Sequence, residues 1–176
     1  MATLSVTNIF EKCRSRKKTM QALPNNVWQD PFTFIAFGFG AGTMPFAPGT
    51  FGTLLAIPFY LLIASLPLTY YLGFVVIFIG ISTWLCERVH QQIGEHDHPG
   101  VTIDEFAGFF VTMINAPKGA AWVILGFLLF RFFDIVKPWP IRLLDEKIAN
   151  GFGTVIDDVV AGFYSFIILQ LIGYVV

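Results

Sequence analysis

Charged residues are scarce in this sequence. Only 13% of its 176 residues are Asp, Glu, Lys or Arg, against about 25% in a typical soluble domain. The formal net charge is −1, so no basic surface is available for a nucleic acid and we expect no such partner. The only cysteines, Cys13 and Cys86, lack metal-ligand spacing, which predicts free thiols.

Several motifs are also absent. The sequence has no GxxxxGKS, GxxxxGKT or GxGxxG stretch, which excludes the common nucleotide-binding loops. Its histidines, His90, His96 and His98, lack the i, i+4 spacing of HExxH, so we expect a solvated loop rather than a zinc site. The basic N-terminus precedes no short apolar core with a cleavage site, so we expect no signal peptide.

Apolar residues are abundant by contrast. They make up 55% of the chain, with 20 Phe and a mean hydropathy of +0.68, which predicts an all-α, polytopic integral membrane helical bundle. The runs Phe51–Leu68 and Tyr70–Cys86 are long enough for most of a bilayer core of about 30 Å, and Pro67 predicts a turn between them. Val159–Val176 is a further predicted span.

Two weaker segments complete the membrane pattern. Phe106–Ala116 and Gly119–Phe130 are short, so we expect a hairpin with Lys118 at its turn. Asn115 is predicted to make a helix–helix hydrogen bond in mid-membrane. Residues 32–49 are apolar but rich in Gly and Pro, which favours an interfacial or re-entrant loop over a continuous spanning helix.

These spans divide the chain into a polar basic tail, residues 1–31, and a membrane-embedded domain, residues 32–176. The loops 87–105 and 131–158 then lie on one face of the membrane. The tail cations place this charged face in the cytoplasm under the positive-inside rule. They are Lys12, Arg14, Arg16, Lys17 and Lys18.

Most of the remaining charge falls between residues 131 and 158. Arg131, Asp134 and Lys137 follow each other at i+3 spacing, so they project together from one helical face. Arg142 is a third cation in this stretch. Spacing alone leaves two interpretations open, a phosphate site or a pair of structural salt bridges.

Further acids flank the apolar runs. Asp104 and Glu105 precede one run, where they serve either as helix N-terminal charges or as oxygen ligands for Mg²⁺. Asp157 and Asp158 precede another run and offer further oxygen ligands. Adjacent carboxylates point to different faces, so we expect one of Asp157 and Asp158 to reach the ion. Thr50 follows a glycine-rich stretch whose amides are able to meet an anion.

This set of residues suits the hydrolysis of a phosphomonoester. Such a reaction needs neutralised phosphoryl oxygens and an activated nucleophile, which Mg²⁺ with cationic side chains supplies. The residues leave open whether water or an aspartate attacks. The predicted metal ligands are Asp104, Glu105, Asp134, Asp157 and Asp158.

Four stretches carry a resemblance to a known family. GFGAGTMPFAPGTFGT (38–53), IDEFAG (103–108), GFLLFRFFDIVKPWPI (126–141) and GFGTVIDDVVAG (151–162) resemble phosphatidylglycerophosphatase A, a bacterial membrane lipid phosphatase. The resemblance implies Mg²⁺-dependent conversion of phosphatidylglycerophosphate to phosphatidylglycerol and inorganic phosphate, an all-helical fold and a location in the inner membrane. The implied partners are the lipid substrate and the bilayer, without an obligate protein partner.

The resemblance also assigns roles. Its motifs place the family's acids on the five predicted ligands and its basic residue on Lys137. The resulting catalytic set is Asp134, Lys137, Glu105 and Asp158, and the phosphate-binding set is Arg131, Lys137 and Thr50.

Competing functions are weaker. A CDP-alcohol phosphatidyltransferase needs a DGxxAR…GxxxDxxxD pattern, which is missing. The acid-phosphatase and haloacid-dehalogenase types need KxxxxxxRP and DxDxT or DxDxV, also missing. A non-enzymatic membrane scaffold remains the other alternative.

Overall fold

The protein is all-helical over the residues that its structure describes. The structure is a computed structural model, and it describes residues 27–94, 98–148 and 150–175, with backbone alone for 145–147. The basic tail cations, His96 and the side chains of the predicted surface charges Asp145, Glu146 and Lys147 therefore lie outside the description. In order, the helices are α1 (Pro31–Ala36), a 3-10 helix (Gly38–Thr43), α2 (Pro48–Ile63), α3 (Leu68–Ile93), α4 (Ile103–Thr112), α5 (Ala120–Val136), α6 (Ile141–Lys147) and α7 (Gly151–Val175).

One end of the bundle gathers most of the described charge. At this charged end, Arg131 near the end of α5 lies beside Glu105 at the start of α4. Glu87, near the end of α3, accepts a 2.8 Å hydrogen bond from the amide of Gly151, the first residue of α7. Loops that are distant in sequence therefore meet at one end, as the alternation of charged loops and apolar runs predicts.

The opposite end, called the far end below, holds the turn between α4 and α5. Gln170 of α7 donates from Nε2 to the carbonyl groups of Ile114, at 2.9 Å, and Asn115, at 3.1 Å. Asn115 lies in this turn with φ +50°, and its predicted position in mid-membrane stays a prediction. Its backbone carbonyl, at the end of a short helix, is what bonds to the neighbouring helix.

Helix α4 lies at the centre of the bundle, with nine of its ten residues buried. It crosses α7 where two glycines meet, and a Cβ on Gly162 would collide with the carbonyl oxygen of Gly108. The Thr112 hydroxyl donates to that same carbonyl at 3.0 Å. The absence of side chains at this crossing brings the two backbones close together, which sets the register between α4 and α7.

Two helices, α3 and α7, are long and apolar enough to cross a membrane, and α2 is a shorter apolar helix. The apolar runs predicted within residues 51–86 form α2 and α3, with Pro67 just before α3. The last helix begins earlier than the predicted Val159. Glu87 binds the amide of Gly151, and the Asn150 side chain accepts from the Gly153 amide at 2.9 Å, so the first turn is capped.

Residues 32–49 form no continuous spanning helix, as predicted. They fold into α1 and the 3-10 helix instead of a loop. Asp30 caps α1, accepting from the Thr33 hydroxyl at 2.7 Å. Left-handed backbone angles at Phe39 and Gly40 interrupt the 3-10 helix, so the chain reverses before α2 begins.

Candidate active site

The first turn of α4 contributes two acids to the charged end. Asp104 is buried, and its Oδ1 accepts from the Glu105 amide at 3.1 Å. Glu105 is half-buried and faces the start of α2, where a Cβ on Gly49 would collide with its Oε1. A Cβ on Gly52 would lie 3.0 Å from its Oε2. The two α2 glycines therefore leave the space that the Glu105 carboxylate fills.

The last turns of α5 contribute a cation and a third acid. Nη1 of Arg131 lies 2.7 Å from Oδ2 of Asp134 and 3.9 Å from Oε1 of Glu105. The i+3 pairing predicted from sequence is confirmed, and Arg131 also links α5 to α4. The helix ends at Val136, and Lys137 adopts left-handed backbone angles before Pro138, which ends the helix as predicted.

The second turn of α7 supplies the remaining acids. Asp157 and Asp158 are 5% and 4% exposed, and Nζ of Lys137 lies 2.6 Å from Oδ2 of Asp157. Asp158 interacts electrostatically with all four other acids of the site. Both side chains are buried at the charged end, because the helix already begins at Gly151. That only one of the two reaches Mg²⁺ stays a prediction.

The five carboxylates therefore converge with two cations at the charged end, and we call this group the acidic cluster. It consists of Asp104, Glu105, Asp134, Asp157, Asp158, Arg131 and Lys137. When all are ionised, five acids and two cations leave a formal charge of −3. A partly buried excess of negative charge is costly without further cations.

The donor set suits Mg²⁺, because it offers carboxylate oxygens and no sulfur or imidazole. Within the described ranges, no three His, Cys, Asp or Glu side chains are grouped closely enough to hold one metal ion. Asp134 and Asp157 are instead paired with Arg131 and Lys137. The donor atoms thus suit the ion, but three of the described carboxylates would have to move closer together to share it. In this structure the ion pairs supply part of the neutralisation.

Arg131 has capacity left for a ligand. Its Nε is buried and makes no hydrogen bond among the described residues. A buried guanidinium donor is costly to leave unsatisfied, and guanidinium groups bind phosphate oxygens well. This donor therefore points to an anion at the cluster.

Other predicted residues contribute less directly. The Thr50 amide already donates to the Ala47 carbonyl at 2.9 Å, so its role in binding phosphate stays a prediction. Arg142 lies on α6 and is exposed. His98 is buried, and its Nδ1 accepts from the Gly100 amide at 3.0 Å, a structural role in place of the predicted solvated one.

The residues that the sequence did not indicate are those that position the acids of the cluster. Glu87 holds the start of α7, and Gly49, Gly52, Gly108 and Gly162 allow the close approaches. In the sequence the glycines are visible only as small residues within apolar helices, a pattern that is too common to identify a site by itself.

Replacing Gly49 by Ala is expected to lower activity about tenfold, because the new Cβ would displace the Glu105 carboxylate and lie 3.1 Å from Nη1 of Arg131. Phosphate release by the purified variant measures this. Gly73→Ala is the matched control, since its Cβ would meet no atom within 4 Å. Equal activities of the two variants would contradict the close fit.

The chain is similar to known proteins over most of its length. The family model for phosphatidylglycerophosphatase A matches residues 34–173. The chain belongs to the phosphatidylglycerophosphatase A family. The phosphatidylglycerophosphatase A of Escherichia coli (strain K12) is 42% identical over 82% of this chain and 85% of its own. That of Haemophilus influenzae is 40% identical over 82% of this chain and 90% of its own.

A third relative, from Bacteroides thetaiotaomicron, bears the provisional name phosphatidylinositol-3-phosphatase. It is 40% identical over 81% of this chain and 93% of its own. No solved structure matches the chain. The family match and the relatives that bear the family's name confirm the family resemblance seen in the motifs.

Proposed function

We propose that the protein hydrolyses phosphatidylglycerophosphate to phosphatidylglycerol and inorganic phosphate, in phospholipid biosynthesis and with Mg²⁺. The observation that carries this is the convergence of five acids, Arg131 and Lys137 at one end of apolar helices. Two relatives that are 42% and 40% identical to this chain over 146 and 147 aligned residues bear the matching name. The geometry of the site and the names of these relatives both indicate a lipid that carries a phosphate group.

In the proposed reaction, Arg131 and Lys137 bind the phosphoryl oxygens. Glu105 or Asp158 takes a proton from the attacking water, whose oxygen bonds to phosphorus while the bond to the headgroup glycerol oxygen breaks. The proton then passes to the leaving glycerol oxygen. Mg²⁺ held by Asp104, Asp134 and Asp157 would neutralise phosphoryl charge and lower the pKa of bound water.

The proposed setting is the bacterial inner membrane, with several helices crossing it and the charged end in the cytoplasm. Helices α3 and α7 are long enough for this, and they bring the end of α3 and the start of α7 to the charged end. The exposed aromatic side chains of Trp28, Phe46 and Trp139 at that end suit the headgroup region of a bilayer.

Phosphate release from phosphatidylglycerophosphate in detergent tests this function. We expect release with Mg²⁺, loss of release with EDTA, and recovery when excess Mg²⁺ is added, because the cluster needs further positive charge. Phosphatidylinositol 3-phosphate is the comparison substrate, given the name of the third relative. We expect slower release from it.

The outcomes separate the parts of the proposal. Release that persists in EDTA would remove Mg²⁺ from the mechanism. Faster release from phosphatidylinositol 3-phosphate would reassign the headgroup. If the folded protein releases phosphate from neither lipid, the result would favour the non-enzymatic membrane scaffold.

A further inference from the structure

A cavity of about 820 Å³ lies in the far half of the bundle, away from the acidic cluster. Its walls come from α2, the first residues of α3, the turn between α4 and α5, and the first residues of α5. Much of the lining is apolar or aromatic, and it includes Ile57, Tyr60, Leu61, Met113, Val123 and Ile124. Ser65, Asn115 and Lys118 are its polar members. A volume of this size is typical of a site for a small ligand.

The structure holds the walls of the cavity in place. The Tyr71 hydroxyl, on α3, donates to the Phe110 carbonyl of α4 at 2.8 Å. Gln170 of α7 holds the α4–α5 turn through the carbonyl groups of Ile114 and Asn115. Tyr71 thus fixes α4 against α3, and Gln170 fixes the turn against α7. The cavity walls are part of the packed fold.

The same two helices link the cavity to the cluster. At the charged end α2 and α5 approach each other, since a Cβ on Gly49 would lie 3.1 Å from Nη1 of Arg131. Ile57, eight residues after Gly49, lies about 12 Å further along α2. Ile124, seven residues before Arg131, lies about 10 Å along α5. Both helices thus run from the phosphate-binding groups to the cavity walls.

We propose that the cavity receives an acyl chain of the lipid substrate whose phosphate lies at the acidic cluster, an inference that rests on the proposed function. A phospholipid joins its phosphate to its acyl carbons through a glycerol backbone, so an apolar chain starts several ångströms from the phosphate and extends past 10 Å. The lining offers apolar surface at that depth. Burial of hydrocarbon against such surface is favourable, and it holds the headgroup at the charged end.

Filling the cavity tests the proposal. Val123→Trp, on the α5 wall, should raise the KM for dioleoyl phosphatidylglycerophosphate about tenfold, through the loss of buried methylene groups. The dibutanoyl lipid has chains too short to occupy the cavity, so its kcat/KM should stay within about twofold of the wild-type value. A raised KM at an unchanged kcat indicates the loss of binding free energy that contributes equally to the ground state and the transition state.

Leu128→Trp is the control on the same helix, because Leu128 is exposed and outside the cavity lining. Ile57→Trp repeats the test from the α2 wall, with Leu62→Trp as its control, Leu62 being 79% exposed. A rise in KM confined to the dioleoyl lipid in either cavity variant supports the acyl-chain site.

Other results would overturn the proposal or the proposed function on which it rests. An unchanged KM for the dioleoyl lipid, or equal losses on both lipids, in both Val123→Trp and Ile57→Trp would overturn the proposal. Wild-type hydrolysis of the dibutanoyl lipid depends only on the cluster. Its absence, together with the absence of dioleoyl hydrolysis, would contradict the proposed function itself.

Discussion

Replacing Asp134 or Asp157 by Asn is expected to lower phosphate release by about 100-fold or more, while the protein still inserts and folds. Each change removes a charge that the structure pairs with a cation, Arg131 in one case and Lys137 in the other. Loss of one preorganised electrostatic group in an active site has effects of about this size. Release of phosphate from phosphatidylglycerophosphate at saturating Mg²⁺ measures the effect.

Asp30→Asn is the matched control. Asp30 is an acid of the described chain outside the cluster, where it caps α1. We expect it to cost at most about 1 kcal/mol of stability and to leave turnover close to wild type. Near-normal turnover by a folded Asp134 or Asp157 variant would remove that residue from the site.

Replacing Gly162 by Val is expected to destabilise the fold by about 3 kcal/mol or more, because the new side chain would collide with the Gly108 carbonyl. The neighbouring atom is backbone, so the collision is relieved only by moving α4 away from α7, and overpacking of this kind is costly. Thermal unfolding of the purified protein in detergent should show a clearly lower midpoint, with lower activity, since α4 and α7 both carry cluster acids.

Gly80→Val gives the comparison for this experiment. Gly80 lies in α3, another long apolar helix, and a Cβ there would meet no atom within 4 Å. Its unfolding midpoint should stay close to wild type. If both variants unfold at the same temperature, the α4–α7 crossing is looser than the structure indicates.

The helices of the bundle extend to different depths from the acidic cluster. The short helix α4 fills the centre and starts at the acidic cluster, whereas α2 and α5 extend from the cluster to the cavity. Helix α4 is about 15 Å long and α7 about 37 Å. The second turn of α7 lies next to Asp104 and Glu105, so the site lies between one and two turns in from the start of α7.

Much of the helical structure could be predicted from the sequence. The apolar runs predicted the helices α2, α3 and α7, and the proline positions predicted where α5 ends. The i+3 spacing predicted the Arg131–Asp134 pair, which the structure confirms. These features depend on local backbone geometry and on hydrophobicity, both of which are properties of short segments.

The tertiary structure alone decided how the segments meet. The start of α7 depends on Glu87, a residue 64 positions earlier in the chain, so the burial of both Asp157 and Asp158 was not visible locally. The cavity likewise depends on where α2 and α5 separate. Contacts between helices follow from the sizes of facing side chains, above all the absence of one at Gly49, Gly108 and Gly162, and no periodicity within a single helix carries that information.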